Sequence, residues 1–243
     1  MMEVGGIARL VAAMGVLGAV FYALESSLAP LLARWFPGYG ALDPRRRLQV
    51  RVRSFESLAS IYLCLGGIGG AVAYALSDRN YVSGYSAFAY GHALALAAFY
   101  VFHLWRMAAA GGYPRALYPH HFFMALGLVC CLAFGVLQFY MLLSAVPAGG
   151  AAVRNARWAA RVSNGATGAP SPWAAATVML LTELPAPLGG FVHLFLVGLR
   201  DGSVPGPVWV LVIGPAVAST LMAAWFVAGA FREAARRRAP ATT

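Results

Sequence analysis

The chain contains no lysine and little acid. Its 18 basic side chains are all arginine, set against 8 Asp and Glu, and charged residues make up only 11% of 243 positions. A soluble globular domain carries about 25%, so this chain is too poor in charge to face water on all sides. Cysteine is scarce too. Cys64, Cys130 and Cys131 all lie inside apolar runs, which argues against a disulfide framework and fits small buried hydrophobes. There is no GxGxxG, P-loop, GxSxG or CxxC motif, so soluble nucleotide chemistry is not indicated.

What is present is apolar. Hydrophobic residues make up 60% of the chain and mean hydropathy is +0.70, which calls for lipid as solvent. The net charge of +10 does not point to nucleic acid, because the arginines are not gathered among aromatics. They lie in the polar intervals between apolar runs, where they meet lipid phosphates at the interface.

A span needs roughly 20 apolar residues, and the sequence predicts an all-α, polytopic bundle of about six spans in a single domain over 1–243. The first is Ile7 to Leu24, continuing as an interfacial piece to Trp35; it has too weak a charge before it and too long a run for a cleaved signal. The others are Phe55 to Leu76, Tyr85 to Trp105, His120 to Val146, Trp173 to Leu199 and Val208 to Phe231. Residues 147–172 read as a flexible loop, with an amphipathic helix around Val153 to Arg161, and 232–243 as a basic tail. Gly66 and Gly70 give a GxxxG spacing suited to close helix packing, and self-association as a homo-oligomer stays open. Six spans place both ends of the chain on one side, and the arginines then divide equally between the two faces, so the positive-inside rule does not orient the bundle.

Ionisable groups inside hydrocarbon cost about 2.5–3.5 kcal/mol each at a helix centre, so those present are expected to have a partner or a use. Glu183, in Leu180-Leu181-Thr182-Glu183-Leu184-Pro185, is the foremost. Pro185 and Pro187 cannot donate backbone hydrogen bonds and free carbonyls one turn earlier; a carboxyl beside such a break suits headgroup binding or proton uptake. The alternative is a protonated Glu bonded to a neighbouring helix. His120 and His121 open the fourth span, about 100° apart on the helix, so only one can face the interior squarely. Cys131 and Gln138 fall on the His120 stripe, while His92 and His103 share a stripe of the third span and His193 lies in the fifth. Five membrane histidines also admit a b-type haem electron carrier, although their depths do not pair and no HExxH occurs. His120-His121 and Cys130-Cys131 are about 15 Å apart on one helix, too far for one metal, and no metal is expected.

The order of these features resembles the TLC-domain family, which holds ceramide synthases, translocon-associated TRAM proteins and smaller lipid-homeostasis proteins. The resemblance runs from about Ala29 to Arg232. It is carried by Leu42 with its basic loop, Arg51-Val52-Arg53-Ser54, Tyr118-Pro119-His120-His121 and Glu183-Leu184-Pro185-Ala186-Pro187. It implies a six-helix bundle around a lipid-accessible cavity in the endoplasmic reticulum, acting in membrane sphingolipid or phospholipid metabolism. It further implies His120, His121 and Glu183 as catalytic residues of an acyltransferase with acyl-CoA as co-substrate. Membrane lipids are the expected partners, with Gln138, Cys131, Pro185, His193 and His92 as lipid-contacting positions. The chain departs from the family in lacking an aspartate pair between Arg115 and Glu183, an Asp in the third span, and a His where Ser57 stands. These departures favour a non-enzymatic lipid factor. No retrieval signal follows Arg238.

Overall fold

The structure is a computed structural model describing residues 4–164, 171–198, 202 and 204–236. Its regular elements among those residues are all helical: α1 (Val4–Trp35), a 3-10 turn (Pro37–Ala41), α2 (Pro44–Ala75), α3 (Ala87–Ala110), α4 (Leu117–Phe134), α5 (Gln138–Ala145), α6 (Ala148–Asn164), α7 (Pro172–Glu183), α8 (Pro185–His193), a π turn (Leu194–Gly198) and α9 (Gly206–Arg236). Six stretches are long and apolar enough to cross a membrane: Gly6–Trp35, Pro44–Ala75, Ala87–Ala110, Leu117–Phe134, Pro172–Val197 and Gly206–Arg236. The protein is a multi-pass, all-α integral membrane bundle.

Local chemistry sets the helix ends. Asp43 caps α2 by accepting from the Arg46 N–H at 3.0 Å, with Pro44 in the first turn. Ser86 caps α3 through Ala89 N. Gly111 (φ 67°) ends α3, and Gly135 (φ 68°) ends α4 with backbone that a side chain rarely adopts.

The expected fourth span, His120 to Val146, is broken at Gly135. Leu137 enters the left-handed region (φ 61°), a cost of about 1–2 kcal/mol for a non-glycine residue, and its N–H is held by Val82 O at 2.7 Å. Gln138 therefore opens a new helix and does not extend the His120 stripe.

The polar stretch after Pro147 is also different from the expected loop. The amphipathic helix is there and is longer than Val153 to Arg161, occupying Ala148–Asn164; residues 165–170 lie outside the described part. Together α5 and α6 follow α2 in reverse along its length. Gly70 and Gly67 abut Leu142 and Ala145, Gly149 meets Cys64, Asn155 meets Arg53, and Ser163 meets Gly38. The glycines matter here because a Cβ at Gly67 would sit 2.7 Å from Leu142 O. With 8 and 17 residues, the pair reaches about 37 Å at about 1.5 Å per residue, more than the roughly 30 Å of hydrocarbon. It makes a seventh crossing, inside the bundle, where neighbours rather than lipid cover it; Ala152, Asn155, Arg157, Ala159, Ala160 and Ser163 are all buried.

A seventh crossing inverts everything after it. The starts of α2, α4 and α7 and the ends of α1, α3, α6 and α9 now share one face. Among the described arginines only Arg9 and Arg79 belong to the other. The tie expected from six crossings disappears, and on the positive-inside rule the arginine-rich face is the one expected to be cytosolic.

Toward that face the helices are tied by buried charge. Glu25, fully buried in α1, receives Arg106 Nε at 2.5 Å and Nη2 at 2.7 Å, and Arg51 Nε at 3.0 Å. Arg53 is caged between the Tyr113 and Trp158 rings, 4.1 and 4.3 Å from their centroids, and donates to Gly112 O and Asn155 Oδ1.

The topology is tested by single cysteines at the exposed Ser83 and Ser171, probed with a membrane-impermeant maleimide. Ser171→Cys should react from the cytosolic side and Ser83→Cys only from the opposite one; labelling of both from the same side would restore six crossings.

Candidate functional site

On the arginine-rich side of the bundle, α2, α3, α4, α6, α7 and α9 enclose a cavity of about 90 Å³, several times the roughly 10–15 Å³ that admits one water. Glu56, His120, His121, Arg154, Glu183 and Ser219 supply most of its polar wall, with Tyr100 and Ser60 beside them. In a bundle this apolar, such a concentration of polar groups is the feature that stands out.

Four of these groups form a line. His121 Nδ1 is 2.8 Å from Leu117 O, and its Nε2 is 3.0 Å from His103 Nδ1. The far nitrogen of His103, Nε2, is 3.0 Å from Glu56 Oε2, a close but oblique contact, and Tyr113 Oη donates to the same oxygen at 3.2 Å. A carbonyl oxygen only accepts, so His121 Nδ1 carries hydrogen. With His121 neutral, its Nε2 accepts from His103 Nδ1–H, and the other nitrogen of His103 faces Glu56. Tyr113, in the turn between α3 and α4, has its phenol raised well above the usual range, first by burial and then by Glu56, so it stays a donor.

The second group is an ion pair. Arg154 Nη1 of α6 donates to Glu183 Oε1 of α7 at 2.8 Å, and its guanidinium lies 4.1 Å over the Phe226 ring. Glu183 is 3% exposed, and its Oε2 is buried without a partner. Gly150 makes the approach possible, since any Cβ there would collide with the Glu183 carboxyl. The helix break at Leu184-Pro185 sets Glu183 at the end of α7, with Pro187 on the cavity wall.

His120 faces the cavity from another direction. Its Nδ1 is 3.4 Å from Ser219 Oγ and its ring meets Tyr100 edge-on. Although adjacent on one helix, both histidines border the cavity, His121 buried and His120 half-buried. They differ in engagement: both nitrogens of His121 are in contacts, whereas His120 has Nε2 outside any of them.

No protein-family model, curated protein or solved structure matches the chain. Its site is therefore read from geometry.

Against the expected residues, the structure brings His120, His121 and Glu183 to one cavity. Cys131 lines a neighbouring apolar groove of about 120 Å³, whose wall shares Met124, Ser144, Pro147, Pro187 and Ser219 with the cavity. Pro185 shapes the break. The other three lie apart from the cavity. Gln138, fully buried, accepts from Ser86 N at 2.7 Å near the start of α3. His92 contacts Leu63 O at 3.1 Å and stacks on Phe88, and His193 meets Tyr140 Oη at 2.8 Å. Among the described residues no group of three or more His, Cys, Asp or Glu is arranged to hold a metal ion. The residues not foreseen are Glu56, Arg154 and Ser219. Glu56 follows the Arg51–Arg53 cluster and reads as a membrane-edge charge, and Arg154 falls in what reads as a loop.

The proton assignment is open to ¹⁵N NMR of histidine-labelled protein. One histidine, identified by its loss in His121→Asn, should keep Nδ1 protonated across the titration; a His121 with bare Nδ1 would contradict the Leu117 contact.

Proposed function

We propose that the protein is a TLC-type lipid-handling protein that takes the polar end of a membrane amphiphile into its cavity and the acyl chain into the adjoining groove. One observation carries the reading: a buried polar cavity, lined by His120, His121, Glu56 and the Arg154–Glu183 pair, shares a wall with an apolar groove. An amphiphile has this division of polarity, and the groove and cavity lie side by side as a headgroup and its chain would require.

Chemically, the arrangement suits general-base catalysis on a lipid hydroxyl or amine. His120 Nε2 is the nitrogen available to accept the proton. His121 would be held in place by Leu117 O and backed by His103 and Glu56. Arg154 would steady a developing oxyanion, and Glu183 Oε2 would accept from a headgroup donor. Transfer of an acyl group to that hydroxyl or amine from an acyl-CoA thioester fits these roles: the new ester or amide bond forms as the thioester C–S bond breaks, and the leaving thiolate takes the proton that His120 accepted. Residence in the endoplasmic reticulum and a role in lipid homeostasis belong to the same proposal.

A second reading, a non-catalytic lipid carrier, is favoured by the missing aspartate pair between Arg115 and Glu183.

Lipid profiles of a deletion strain complemented with wild type, His120→Ala or His121→Ala separate the two. For an enzyme, the His120 variant should lose at least about 100-fold of turnover, within the range for a lost general base, while reaching wild-type abundance. Full rescue by both variants would end the catalytic reading and leave the carrier.

A further inference from the structure

A second cavity, of about 320 Å³, opens between the C-terminal part of α6, the start of α7 and the end of α9. Its walls carry Arg154, Arg157, Arg161 and Arg232, with a single carboxylate, Glu233. Arg157 Nη2 reaches Glu233 Oε1 at 3.3 Å, and Arg161 Nη2 approaches the same oxygen more closely. Among the described residues the wall thus carries four guanidiniums and one carboxylate, and Arg154 is engaged by Glu183 from the inner side. Arg161 Nε is buried and meets no acceptor among the described residues. Arg157 is only 6% exposed, so this is a built recess rather than a solvated surface.

The remaining walls are Trp158, Trp225, Phe226, Met179 and small residues of α7 and α9. Trp225 is 55% exposed, as expected for an aromatic at the membrane–water boundary. Clustered guanidiniums repel one another, and a phosphate relieves that repulsion while matching their planar forks with bidentate hydrogen bonds.

We infer that this recess is a binding site for a phosphate group, supplied by an anionic phospholipid of the cytosolic leaflet whose headgroup sits between α6 and α9. The recess lies on the arginine-rich face, and its tryptophans and apolar walls suit glycerol and acyl carbons. The inference does not depend on what the inner cavity does.

The test uses the full chain in nanodiscs, with bound lipid counted by native mass spectrometry. Phosphatidic acid should be retained about tenfold over phosphatidylcholine, as expected for one or two charge-assisted hydrogen bonds. The double variant Arg157→Gln/Arg161→Gln should lose that preference. Because that variant also breaks the contacts to Glu233, Glu233→Gln provides the opposite arm: it removes the competing carboxylate and should raise retention several-fold. Millimolar inorganic phosphate should fail to displace the lipid; displacement would overturn the lipid as source and assign the site to free phosphate. Equal retention of the two lipids by wild type, or no response to Glu233→Gln, would overturn the site.

Discussion

A charge inside hydrocarbon must find its partner on another helix, and this requirement organises the arginine-rich half of the bundle. Removing one member of a buried pair leaves an uncompensated charge, at a cost of about 3–5 kcal/mol. The acidic groups of the bundle meet it in turn: Glu25 of α1 takes Arg106 and Arg51, Glu56 of α2 takes His103, and Glu183 of α7 takes Arg154. Each contact joins separate helices: α1 to α2 and α3, α2 to α3, and α6 to α7. Between helices in lipid there is no hydrophobic drive to associate, so these pairs also help to fix which helices meet.

The same requirement explains the polarity of the site. Charges satisfied across helices leave some donors and acceptors turned inward: His120 Nε2, Glu183 Oε2 and the Arg154 guanidinium. Such groups are costly in an empty apolar bundle and useful in one that receives a polar ligand. An apolar groove adjoins them, and the arginine recess shares Arg154 and Phe226 with the cavity. Arg154 therefore stands between an inner acid and an outer cluster of positive charge.

How much of this could be read from the sequence depends on what each residue touches. Apolar runs facing lipid were legible, because hydropathy measures lipid contact; all six such spans are found. The α5–α6 crossing was not, because a helix wrapped by protein can carry Asn155, Arg157 and Ser163 without meeting hydrocarbon. The number of crossings, the orientation and the identity of Glu183's partner all followed from that single omission. His120, His121 and Glu183 were recognisable as ionisable groups in greasy surroundings, and they do converge. Gln138, His92 and His193 looked the same by that criterion, yet each is spent on a structural contact: Ser86 N, Leu63 O and Tyr140 Oη. Composition shows that a buried polar group needs a partner, but only the packing shows whether that partner is backbone, another side chain or a ligand.

The claim on which the rest depends is that α6 lies inside the bundle with Arg154 against Glu183. A double-mutant cycle on reversible unfolding in mixed micelles, using Arg154→Met, Glu183→Gln and both together, measures it directly. A buried, hydrogen-bonded pair predicts a coupling of at least about 1 kcal/mol. Additive losses, as expected if residues 147–172 formed a solvated loop, would contradict it.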